Sequence, residues 1–214
     1  MRNKIGIIPT INPLPISTQY RKNTIRPLGY HEAGHYVIAR VLGFKTGSLK
    51  LQMIDINGGH IGGSVLQLRR ALSNVREILD YLEDRIQVLY AGALAQSLSN
   101  GKIDDKVAVS VLEEGGGQTD FAKVRELLQI IRNIRFPNAK DEAEAQSGLD
   151  KINDDLWDRT IALVEKDHQL ICGLGGRLAS ELKVIGQEFE LSEAELETLR
   201  SIQQRFSISK KTTV

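Results

Sequence analysis

The residues best equipped for chemistry are His31-Glu32-Ala33-Gly34-His35, two imidazoles four positions apart with a carboxylate beside the first. On a helix, positions i and i+4 share a face, so both rings can reach one metal ion. Zinc suits such a pair: imidazole nitrogen is a favoured ligand, and the d10 ion accepts a four-coordinate site with one position open. Glu32 projects too far round the helix to be a third ligand. It is well placed to take a proton from a water whose pKa the metal lowers to about 7. The pattern H-E-x-x-H therefore reads as metal-assisted hydrolysis of peptide bonds.

The elements around the motif support this. Residues 27–42 read as one helix, with Pro27 tolerable in its first turn and Gly43 as its stop. His31, His35, Ile38 and Leu42 share one face, while Ala33, Val37 and Val41 line another. A helix so widely apolar is buried, as a shielded metal site requires. Leu49, Leu51 and Met53 then alternate with polar residues, Asn57-Gly58-Gly59 marks a turn, and Ile61, Gly63 and Val65 alternate on the return. This predicts a hairpin. Gly62 and Gly63 leave its second strand smooth, either for a substrate backbone to lie alongside or simply as a bulge that bends the strand. His60 belongs to the turn and is expected to be exposed, outside any ligand set.

Ser73 is expected to cap a long helix reaching about Leu98, whose small-residue end, Tyr90-Ala91-Gly92-Ala93-Leu94-Ala95, permits close packing on a neighbour. Its charges, among them Arg76, Glu77, Asp80 and Arg85, read as a solvated face. Residues 100–118 read as a loop with an apolar insert at Val107–Leu112. Three glycines, Gly115-Gly116-Gly117, precede another helix, with no lysine-serine/threonine pair to make a phosphate loop of them. Asp120 opens that helix, either as an ordinary N-terminal carboxylate or as the third metal ligand; spacing does not choose between them. Residues 134–148 read as a connection, and helices are expected over 149–165 and 168–185, with Trp157 and Cys172 as packing residues. A capping box at Ser192–Glu195 opens a last helix through about Phe206.

The 214 residues suffice for one good core. A net charge of +1 gives no electrostatic footprint for nucleic acid and no patch for a membrane surface. The single cysteine excludes an internal disulfide framework and fits a reducing compartment. No segment has the apolar length to span a bilayer, and the proline-rich N-terminus reads as an extended arm and not a signal peptide. The expected organisation is an arm over 1–27, one catalytic domain over 28–206, and a tail over 207–214. The expected class is mainly α with a small β-hairpin or sheet, in the cytoplasm.

Gly29-Tyr30-His31-Glu32-Ala33-Gly34-His35 resembles the protease-domain motif of the FtsH family of ATP-dependent zinc metalloproteases. The glycine-bearing hairpin is similar to the segment that follows it there, and Tyr90–Leu98 to the family's Gly-Gly-Arg-Ala-Ala-Glu-Glu-Leu helix. Gly116-Gly117-Gln118-Thr119-Asp120-Phe121 looks like its Gly-x-x-Asn-Asp-Leu element. The resemblance spans residues 28–206 and implies a zincin-like peptidase fold, with His31, His35 and Asp120 holding zinc, Glu32 as the base, and a polypeptide substrate. It departs from the family in Gln96, which stands for a glutamate, in Tyr36, which stands for alanine, and in 133–139, where no Gly-Met-Ser segment is recognisable. This sequence carries no Walker motif, so the domain is expected to act without ATP by itself. Two further expectations compete: a partner-specific regulatory protease or detached protease subunit of a separate ATPase, and an inert binding module that keeps a metal. Oligomeric state is left open.

Overall fold

The computed structural model describes residues 14–207, which are mainly helical around a small antiparallel sheet. The described part of the N-terminal segment is not an extended arm throughout. After Pro15, which bridges Val184, the chain is already helical at α1, Thr18–Tyr20. A π-helical turn over Arg21–Ile25 then leads directly into α2, Arg26–Val41. Pro27 explains the widened turn. It has no N–H to donate and its ring crowds the preceding turn, and a π-turn carries the chain past both problems. Gly43, at φ 82°, stops α2 as expected, and the Phe44 N–H reaches back to the Ala39 carbonyl at 2.9 Å.

The predicted hairpin is present as β1, Lys45–Met53, and β2, His60–Gln67. Asp55 holds its turn by accepting from the N–H groups of Asn57 and Gly59. Leu49, Leu51 and Met53 all point into the core. A third strand, absent from the sequence reading, pairs with the far side of β1: β5, Glu188–Leu191. The sheet order is β2-β1-β5, so β2 is an edge strand.

The long helix α3 spans Val75–Gln96 and is capped by Asn74, one residue after the expected Ser73. A tiny hairpin follows, β3 Leu98–Ser99 and β4 Lys102–Ile103. The apolar insert of the supposed loop is a helix, α4, Asp105–Glu113, capped by Asp104. Next come α5, Gln118–Arg135, and α6, Glu142–Lys166, which starts before the expected 149 because Asp141 caps it. Then α7 spans His168–Glu181. The Ser192–Glu195 capping box opens α8, Glu193–Thr198, and the final helix breaks at Leu199 before α9, Arg200–Ser207. The expected tail lies outside the described residues from 208 onward. No described helix is long and apolar enough to cross a membrane.

At the centre α2 is buried among α3, α7 and the sheet. Backbone contacts set its distances to the other two helices. A Cβ on Gly34 would lie 2.4 Å from the Ala91 carbonyl oxygen of α3, and one on Gly29 would lie 2.4 Å from the Gly175 carbonyl oxygen of α7. Ala91 and Ala95 belong to the small surface against which α2 packs. Glycine within α7 is thus a packing requirement at Gly175.

This contrast is testable within one helix pair. Gly29→Ala gains about 1 kcal/mol of helix propensity, but its methyl group meets backbone that has no rotamer to change. The expected net loss is about 1–3 kcal/mol, a fall in Tm of a few degrees or more. Gly173→Ala, with nothing within 4 Å of the added carbon, should instead be neutral or stabilising. Thermal unfolding of the two variants checks the pair, and a tolerated Gly29→Ala would refute the close approach.

Candidate metal centre

His31 and His35 face α3 across the Gly92 gap. A Cβ on Gly92 would stand 2.5 Å from His35 Nε2 and 2.7 Å from His31 Nε2, so the missing side chain makes room for both rings. The imidazoles meet edge to face, with centroids 4.7 Å apart. His35 Nδ1–H donates to the Val88 carbonyl at 2.7 Å, and His31 Nδ1–H donates to Gln96 Oε1 at 3.0 Å. A carbonyl oxygen only accepts, so each Nδ1 carries the proton and each Nε2 presents a lone pair. Gln96 therefore orients the His31 ring through a neutral hydrogen bond.

Asp120 lies in the first turn of α5 and completes the cluster. Its Oδ2 is 3.1 Å from His35 Nε2 and 3.7 Å from His31 Nε2, while the two Nε2 atoms are 3.1 Å apart. Tetrahedral zinc with bonds of about 2.0–2.1 Å needs ligand atoms about 3.3 Å from one another. The donor set fits: two imidazole nitrogens and one carboxylate oxygen converge on one point. They also need a cation there, since two lone pairs and an anionic oxygen repel one another at such distances. Among the described residues, this is the group of three or more metal-binding side chains found.

Without a metal, protons fill that need. Burial works against a charged His35, yet the hydrogen bond and charge of Asp120 raise its pKa above the ordinary 6.5. Burial likewise opposes ionised Asp120, but hydrogen bonds from His31 and His35 and their charge hold its carboxyl well below the usual carboxylate range. Lys123 Nζ, 3.3 Å from Asp120 Oδ1, braces the second oxygen.

The cluster opens into a cleft of about 360 Å³ between α3, α5 and β2. Glu32 is buried beside the histidines, and its carboxylate lies under β2, where a Cβ on Gly62 would fall 2.2 Å from Oε1. Gly63 faces open space. Both glycines line the cleft, so His31, Glu32, His35, Asp120, Gly62 and Gly63 are brought together. Two residues are placed differently from expectation. His60 is half-buried on the cleft wall, with Nδ1 bound to the Gly58 carbonyl. Arg85 lines the cleft instead of a solvated face, because residues 85, 89, 92 and 96 form one stripe of α3 at helical spacing. That stripe was the available signal. Trp157 stacks edge to face on Tyr90, and burial pushes the thiol of Cys172 up, as befits packing residues.

No known family model matches this chain, and neither does any curated protein.

The ligand set makes two predictions. Gln96→Leu should weaken metal binding by roughly 10–100-fold, as expected for an orienting partner, and Asp120→Ala should cost more. Titration with zinc and a competing chelator checks the order. An unchanged affinity in Asp120→Ala would remove Asp120 from the site.

The second concerns pH. Because the folded pKa of His35 is raised, its protonated form stabilises the metal-free fold below 6.5, and that contribution disappears as pH rises through the folded pKa. Metal must displace this proton. Affinity should therefore begin to fall, as pH is lowered, at a pH above 6.5, with protons released on binding. Calorimetry in buffers of different ionisation enthalpy measures that release; its absence at pH 6.5, where the raised pKa keeps His35 mostly protonated, would contradict the His35–Asp120 pairing.

Proposed function

We propose that this chain is a zinc-dependent endopeptidase acting on flexible or unfolded polypeptide, without ATP by itself. The observation that carries the reading is the convergence of His31 Nε2, His35 Nε2 and Asp120 Oδ2 at the floor of a cleft, with a buried carboxylate, Glu32, beside them. A structural metal site has no use for such a base. Under this reading the helix–hairpin arrangement is a zincin-like peptidase fold of the FtsH type, in keeping with the resemblance of the motifs.

His31, His35 and Asp120 would hold the ion. Zinc, when bound, supplies Lewis acidity that polarises a carbonyl and lowers the pKa of water. The remaining work belongs to the chain. Gln96 and Val88 keep both histidines in the Nδ1–H tautomer, so that no proton stands between Nε2 and the ligand point. Glu32 accepts the proton of the attacking water on its carboxylate and returns it to the departing amine nitrogen. An extended substrate fits along β2, whose outer edge is unpaired among the described residues. Main-chain hydrogen bonds to such an edge hold a peptide without regard to its side chains. Gly62 leaves the space that Glu32 occupies, and Gly63 leaves the strand surface open.

The test is hydrolysis of an unfolded protein by zinc-loaded enzyme without nucleotide, with Glu32→Gln beside it. The variant should keep its zinc and lose activity by about 100-fold or more, the scale of a removed general base. Equal rates in the two proteins would sink the assignment of Glu32. No hydrolysis by zinc-loaded wild type would sink the autonomous peptidase.

A further inference from the structure

Arg85 is the charge in the cleft that the chemistry above does not use. It projects from α3 on the stripe that also carries Leu89, Gly92 and Gln96. Its guanidinium forms no hydrogen bond and no ion pair with any described residue. This is unusual for a half-buried arginine, since a desolvated cation is ordinarily retained beside an anion. Burial depresses its pKa, with the more distant charge of Asp120 acting against that. Lys123, the neighbouring cation, is already engaged by Asp120 at 3.3 Å. The two carboxylates of the cleft, Glu32 and Asp120, are committed to the catalytic centre. The cleft thus offers a planar five-donor fork that no carboxylate contacts among the described residues.

We propose that Arg85 is a carboxylate receptor of the cleft, which selects substrates carrying an anionic group close to the bond that is cut. The inference rests on the peptidase reading, which makes this cleft a polypeptide channel. Guanidinium matches a carboxylate by two parallel hydrogen bonds, a geometry that lysine cannot supply. Gly92, which touches both Nε2 atoms, lies seven residues along the helix from Arg85, an axial distance of about 10 Å. An extended peptide advances about 3.3 Å per residue, so the selected carboxylate lies within about three residues of the reacting bond. Two sources have this chemistry: the side chain of an internal Asp or Glu, and the α-carboxylate of a chain end.

The test measures binding, not turnover. Zinc-loaded Glu32→Gln protein is titrated against labelled peptides of one sequence, followed by fluorescence anisotropy. One peptide carries a central Glu and an amidated end, a second replaces Glu with Gln, and a third keeps that Gln but has a free terminal carboxylate. One or both of the carboxylate peptides should bind at least about tenfold more tightly than the Gln amide, the scale of a charge-assisted hydrogen bond. Arg85→Gln in the same background should abolish the difference, and Arg85→Lys should keep part of it. Because the guanidinium has no hydrogen-bond or ion-pair partner among the described residues, Arg85→Gln should leave the protein folded and able to be fully loaded with zinc.

Preference for the Glu peptide would mark selection of internal acidic residues, and preference for the free terminus would mark recognition of chain ends; either supports the receptor. Equal binding of the three peptides, no binding of any, or a preference that survives Arg85→Gln overturns it. A preference that depends on Arg85 while the wild type cleaves nothing would remove the peptidase and keep the receptor.

Discussion

The contact between α2 and α3 is the constraint on which the rest of the molecule depends. Gly34 lies against the Ala91 carbonyl and Gly92 lies against both imidazoles, so at each close approach one of the two helices presents no side chain. Such crossings gain little from each pair of atoms and much from their number, and they tolerate no added methyl group. The same contact carries the chemistry. Val88 and Gln96, one on each side of Gly92 along α3, accept the Nδ1 protons of the two histidines borne by α2. The distance between the helices therefore sets the orientation of both rings. Packing and ligand geometry are one variable here.

That arrangement has a cost. Three donors that repel one another are held within 3.7 Å in a largely buried place. A buried charge without a partner costs several kcal/mol, and in the metal-free fold the contact of Asp120 with His35 offsets part of that cost. A divalent cation reverses the balance, since every ligand then faces an opposite charge. Were a metal held here, its binding and the stability of the fold would be coupled at this point.

Much of this was legible in the residues. The i,i+4 histidines with Glu32 between them, the hairpin turn at Asn57-Gly58-Gly59, the Ser192–Glu195 box and the small-residue end of α3 all follow from local periodicity and capping. Asp120 was legible only as one of two alternatives. A helix-opening aspartate looks the same whether it caps or ligates, and the approach of α5 to α2, which brings Asp120 to both histidines, is not written in its local sequence. What stayed hidden is of the same non-local kind. Glu188–Leu191 is too short to announce a strand, and it becomes one because β1 offers it an edge. Arg85 looks solvated because charge usually lies outward, and only the position of α5 and β2 turns its stripe into a cleft wall. The π-turn before Pro27 reflects a helix that continues upstream, held by packing of residues such as Ile25 in the core.

Gly62 and Glu32 join the two halves of the site. The floor is helical, built from α2, α3 and α5, with its ligand atoms fixed by backbone distances. The wall is the edge strand β2, which presents main chain. A residue with a side chain at position 62 would occupy the place of the Glu32 carboxylate, so carboxylate and strand can share the cleft only if that position is glycine. The smooth strand is therefore first a consequence of the carboxylate beneath it. One missing side chain on β2 thus accommodates Glu32 on one side and leaves the strand surface smooth. The helices fix where the charge converges, and the strand decides what can come near it.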